Sequence, residues 1–214
     1  MDRWTYPSWV NNFPSRVGAL SPSSLSQVCV QYLLWLLLLV AVTGNELLIR
    51  DACAGPEAAE EYAVKAAYLY NFAKFVEWPQ QTFATPTSPI ILCILGSDPF
   101  GDSLDKIAER TVGERPVAIR RLARVEESNG CHVLFLSRSE STRLQSILNE
   151  LAPAPILTVS DIPGFADAGG MIGLVSVGQR IRFEINLRAA TRAKLKISSQ
   201  LLKLARVIGD SEGN

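Results

Sequence analysis

The stretch that decides the fold is ILTVSDIPGFADAGGMIGLVSVGQRIRFEINLRAATRAKLKISSQLLKLAR, residues 156–206. It reads as a short apolar strand, a Gly-rich turn, two strands meeting at Gly178-Gln179, and a helix that Ser198 caps and that carries Ile197, Leu201, Leu204, Ala205 and Ile208. In the second strand of the pair, Ile181, Phe183, Ile185 and Leu187 alternate with Arg182, Glu184 and Asn186, so one face is core and the other polar. That polar face reads either as an edge guarded by charge or as a ligand or partner site. The glycines at 164, 169, 170 and 173 precede a strand and not a helix, which makes them turn and packing glycines and not a dinucleotide fingerprint.

Upstream, apolar runs at 90–95, 116–122, 132–136 and 156–159 read as strands. Between them the sequence places a helix starting at Asp98-Pro99, with Asp98 as cap, and a helix at 139–151 capped by Ser139. Strands alternating with helices and closed by a strand pair define an α/β fold. The expected form is a flavodoxin-like or receiver-like three-layer sandwich, its sheet mostly parallel with a C-terminal antiparallel hairpin. Residues 56–77 read as a leading helix, acidic at its start (Glu57, Glu60, Glu61) and ended by Pro79. It is apolar on two stripes: Tyr62, Ala66, Leu69, Ala73 and Val76, and then Tyr68, Phe72, Phe75 and Trp78. A helix apolar on two faces is either deeply buried or shared between a core and a partner or dimer surface.

Reactive chemistry has little to build on. His132 is the only histidine, so catalytic triads and histidine-based metal sites are disfavoured. A phosphoacceptor site needs an aspartate ending the third strand and a lysine ending the fifth; Ser137 and Gly178-Gln179 stand there instead. GSDPFG (96–101) lacks the Lys and Ser/Thr of a phosphate loop, and Asp98 repels phosphate; it reads as a helix start or a small-ligand crevice. No cofactor or metal is expected, and an enzyme is the least favoured class.

Lys plus Arg and Asp plus Glu number 21 each, so no net field favours nucleic acid. Basic residues nevertheless concentrate between Arg180 and Arg206, where Glu184 is the sole acid. YLLWLLLLVAV (32–42) has the length of a signal-peptide core, and Ala52-Cys53-Ala54 offers a cleavage site before Gly55; an uncut membrane anchor is the alternative. The expected organisation is therefore a leader over 1–54, a domain over 55–209 and a tail over 210–214. Cys29 and Cys53 fall in the leader. Cys93 and Cys131 remain, at neighbouring strand starts, either as two buried thiols or as a disulfide, which export favours and which contributes roughly 3–4 kcal/mol.

The block at 156–206, together with EYAVKAAYLYNFAKFVEWP (61–79), CILGSDPFGDSL (93–104) and CHVLFLSRSE (131–140), resembles the YfiR family of small exported α/β proteins. The resemblance implies a disulfide at Cys93 and Cys131, with no counterpart here of a second pair found in some members. It also implies a non-catalytic periplasmic repressor of an inner-membrane diguanylate cyclase, docking on its periplasmic domain. Release, often involving an outer-membrane lipoprotein, would raise cyclic di-GMP and favour biofilm growth. The residues assigned to partner binding are Tyr68, Phe72, Phe75, Trp78, Arg182, Glu184 and Asn186, with a homodimer as another use of the same faces. The alternative is a periplasmic small-molecule-binding module serving a membrane receptor or transporter.

Overall fold

A computed structural model describes residues 56–209 other than Pro153 and Gln179; the apolar run at 32–42, Cys29, Cys53 and the tail lie outside the described residues. The leading helix α1 (Pro56–Phe75) has Glu57 in its first turn and Lys74 in its last, each matched to the helix dipole. The chain then becomes extended at β1 (Val76–Glu77), makes a 3-10 turn at Gln80–Thr82, and enters β2 (Ile90–Leu95). Next come α2 (Asp102–Ala108), β3 (Thr111–Val112), β4 (Arg115–Leu122), β5 (Val133–Leu136), α3 (Leu144–Leu151) and β6 (Leu157–Ser160). The last part holds β7 (Ile172–Val177), β8 (Arg180–Asn186), α4 (Leu187–Arg192), β9 (Lys196–Ile197), α5 (Ser199–Leu202) and β10 (Arg206–Ile208).

Eight strands form the main sheet in the order β10-β8-β7-β6-β5-β2-β4-β3. β4, β2, β5, β6 and β7 run parallel, while β8 lies antiparallel to β7 from Ile172↔Ile185 to Val177↔Arg180. The central strands read as continuous apolar runs because both faces are covered. Leu92, Ile94, Val133, Phe135, Leu157 and Val159 join one core with α1 and α2. Cys93, Leu95, Leu134 and Leu136 join a second core with Ile147, Leu148 and Leu151 of α3. The result is a mixed α/β fold with a mostly parallel central sheet, helices covering both faces.

Three elements differ from the sequence reading. The helix expected from Asp98 starts at Asp102, because the Asp98 carboxylate accepts the Phe100 amide at 2.8 Å and closes a tight turn first. Ser139 is not a helix cap: residues Arg138–Arg143 form a 3-10 turn, and the Ser139 hydroxyl accepts the Ser97 amide at 3.0 Å. The final helix stops at Leu202. Its expected continuation is β10, recruited by the open edge of β8 in parallel register (Arg206↔Glu184, Ile208↔Asn186) and fastened by an Arg206–Glu184 ion pair. Ser198 does cap α5, accepting the Leu201 amide.

The Cys93–Cys131 disulfide joins β2 to the residues before β5, with Cα atoms 6.0 Å apart across a separation of 38 residues. Closing that loop restricts the unfolded chain by about 4 kcal/mol in the chain-entropy description. The Cys93→Ala/Cys131→Ala protein is therefore expected to lose about 3–4 kcal/mol in denaturant titration. A loss below about 1 kcal/mol would mean that the bridge contributes little.

Candidate functional site

Because β2, β5 and β6 are parallel and in register, they end together, at Leu95, Leu136 and Ser160. Doubly wound sheets place ligand chemistry at this crest. Asp161 is the first residue beyond β6, and the first half of α1 passes over it. Lys65, only 1% exposed, sets its ammonium 2.6 Å from Asp161 Oδ2 and 2.7 Å from Glu61 Oε1, and 4.2 Å above the Tyr62 ring. The Tyr62 hydroxyl donates to the same Asp161 oxygen at 2.9 Å, and Arg138 Nε lies 3.1 Å from it. Glu61 also accepts from the Ser176 hydroxyl at 2.9 Å, which ties in β7. Two acids and two bases thus compensate one another in a place where an isolated charge would be costly.

The electrostatics follow from this packing. Burial, with the Asp161 carboxylate behind it, pushes the Tyr62 phenol up to about 12, so it stays protonated. The hydrogen bond from Lys65 holds the Glu61 carboxyl below its usual range against the opposing effect of burial. Asp161 Oδ1 is buried without a partner among the described residues. The arrangement clasps a helix to a sheet and presents neither a nucleophile nor a poised base. Beside it, the loop at 96–101 is filled by its own neighbours. A Cβ on Gly96, whose φ is 88°, would lie 2.3 Å from Ser139 Oγ and 2.7 Å from Glu140 Oε1. Asp98 is engaged by Arg121 at 2.6 Å.

At the opposite pole, the end of α1 leads into Trp78, whose indole donates to the His132 carbonyl at 3.1 Å. His132 is buried, its Nδ1 accepts the Ile91 amide at 3.0 Å, and its ring lies flat against Phe83, centroids 4.5 Å apart. Burial, with the Arg115 cation behind it, depresses its pKa to about 4. Nδ1 is therefore the acceptor and Nε2 carries the proton; Nε2 has no partner among the described residues.

The residues assigned to partner binding do not form one exposed face. Phe72 is wholly buried and packs on Phe183, which corrects the expectation that it is a surface residue. Tyr68, Phe75 and Trp78 are half-buried against the same core, Tyr68 donating to the Ile181 carbonyl. Glu184 is held by Arg206, and Asn186 caps α4 while donating to the Ala166 carbonyl. Of the seven, Arg182 alone is exposed. Sequence reasoning passed over Lys65 and Asp161. A signal existed: Lys65 interrupts the stripe of Tyr62, Ala66 and Leu69, and a charge on an apolar face asks for a buried counter-ion.

The YfiR/HmsC-like family pattern matches residues 62–206. The chain belongs to the YfiR/HmsC-like family. Its members are regulatory, non-catalytic proteins of the periplasm. The match begins at Tyr62, one of the donors to Asp161, and ends at Arg206, the partner of Glu184, so it takes in the clasp except Glu61, the disulfide and the whole main sheet except the last residues of β10.

Two outcomes test these assignments. Lys65→Met leaves Asp161 buried with one base fewer and is expected to destabilise the fold by about 3–5 kcal/mol in denaturant titration; a loss under about 1 kcal/mol would show that the pair is not an anchor. For His132, a folded pKa of about 4 against an ordinary 6.5 means that the unfolded chain binds more protons between those values. Its contribution is complete above pH 6.5 and is lost as pH falls toward 4, on the order of 3 kcal/mol in all. The stability difference between wild type and His132→Asn should shrink across that window, and a constant difference would contradict the assignment.

Proposed function

We propose that this protein is a periplasmic repressor that binds the periplasmic domain of an inner-membrane diguanylate cyclase and restrains cyclic di-GMP synthesis. The observation that carries the reading is the family match over residues 62–206. A buried disulfide is in keeping with an oxidising compartment. The charges at the crest are paired with one another, which supports a scaffold role. Repression of this kind requires only that the protein bind one state of the cyclase better than the other. The flavodoxin-like description suits the strand order and supplies a rigid frame for docking, and an outer-membrane lipoprotein is the proposed agent of release.

Among the expected partner residues, Arg182 is the one free to meet another protein. Its neighbour Ile181 points to the opposite face of β8, where with Glu57, Glu60, Val64 and Ser176 it lines a cavity of about 360 Å³ between α1 and the β7–β8 strands. Val64 is 44% exposed there, more than buried structure requires. We assign the docking face to this groove.

The test is direct. The protein should bind the isolated periplasmic domain of an inner-membrane diguanylate cyclase from the same cell, and Val64→Asp, in the groove, should weaken binding about tenfold. Deleting the protein should raise cellular cyclic di-GMP. Absence of both a complex and any change in cyclic di-GMP would reject the proposal. A second reading, a small-molecule-binding module for a membrane receptor or transporter, draws on a different feature. A mostly apolar cavity of about 460 Å³ lies between α3 and α4, lined by Leu148, Leu151, Ile156, Met171, Ala189 and Arg192. That reading gains only if a small molecule raises the melting temperature and Met171→Trp abolishes the shift.

A further inference from the structure

We propose that the cavity between α3 and α4 is a binding site for a free medium-chain alkyl carboxylate, its chain held by the apolar wall and its head by Arg192. This ligand class belongs to the second reading above and rests on it.

The cavity stands where a crossover helix is missing. β6 and β7 are parallel neighbours, a connection that normally runs through a helix packed on the sheet. Here residues 161–171 make only tight turns. Phe165 folds back so closely on Gly170 that a Cβ there would lie 2.2 Å from its ring. Beyond that turn, no helix among the described residues fills the gap between α3 and α4, and about 460 Å³ stays open. Leu148 and Leu151 of α3 form one wall, Ile156 and Met171 the floor, and Ala189 and Ala193 of α4 the other wall. Alanines on the α4 side keep the space wide. No aromatic ring stands in the described wall, so there is nothing to stack on; a flexible chain gains there by area buried alone.

Most polar groups around this space are already engaged. The Thr158 hydroxyl accepts the Met171 amide at 3.1 Å, and the Gln145 amide donates to Asn149 at 3.2 Å. Arg192, exposed in the last turn of α4, is the sole charged residue among the described ones in the wall. It belongs to none of the ion pairs among the described residues. It also borders a neighbouring depression where Asp167 and Arg188 carry opposite charges, and Arg188 is turned to the Gly209 carbonyl. One guanidinium beside an apolar space matches one carboxylate, which it can grip with two parallel hydrogen bonds. A phosphate dianion would ask for a second cation, and an alkylammonium would meet like charge.

The experiment titrates the full chain with hexanoate, octanoate and decanoate below their micelle concentrations, with octanol and octylamine as neutral and cationic counterparts. Melting temperature and calorimetry are the readouts. Affinity should rise about fourfold per added methylene. Octanoate should bind about tenfold more tightly than octanol, and Arg192→Gln should erase that advantage while leaving octanol unchanged. Met171→Trp should abolish binding; because Met171 also packs in the core, Ala152→Trp, at an exposed position of the wall, provides a second plug and should act alike. Octanol or octylamine binding as tightly as octanoate, and lost in both plugged variants, would overturn the carboxylate while leaving the small-molecule reading in place. Octanoate binding unchanged in both plugged variants would put it elsewhere on the chain and overturn the proposal. So would the absence of any shift with the three carboxylates.

Discussion

The structure depends on a helix fastened at both ends to a parallel sheet. At the crest, Lys65 gives up water for two carboxylates, one from its own helix and one from the end of β6. At the pole, Trp78 closes on the carbonyl of His132. Between these points Ala66, Leu69, Phe72 and Ala73 supply the apolar area. Hydrophobic burial provides most of the cohesion, but it does not choose where along the strands the helix sits. The ion pair does, because any slip would strand a charge in the core.

The same constraint explains why the crest is quiet. In doubly wound sheets that act on ligands, the strand ends leave polar groups free. Here Asp161 faces Lys65, Tyr62 and Arg138; Asp98 is taken by Arg121, and Ser139 closes on the amide of Ser97. A surface whose charges are mutually satisfied suits a scaffold that presents a shape. That is the physical sense in which a regulatory family can use a fold often associated with catalysis.

Much of this was legible in the sequence, for identifiable reasons. The central strands announced themselves because IILCIL and VLFL are buried on both faces and cannot alternate. The disulfide was legible because one cysteine stands within a strand and the other just ahead of the neighbouring strand. Helix boundaries were less readable wherever a side chain prefers a local turn: Asp98 caps its own loop, and Ser139 serves Ser97 instead of α3. β10 was hidden because its pairing depends on the free edge of β8, a partner distant in sequence. The Lys65–Asp161 clasp was missed for the same reason, with 96 residues separating its halves. Phe72 was misplaced because a helix apolar on two stripes gives no local clue that Phe183 will close over the second.

The central claim is that this family member works outside the cytoplasm as an oxidised, non-catalytic scaffold. Mass measurement of the intact protein released from the cell envelope tests it most directly, since one spectrum reports both the mature N-terminus and the thiol state. The expected species lacks the leader and is two hydrogens lighter than its reduced form, with Cys93 linked to Cys131. A cytoplasmic species with both thiols free would contradict the account.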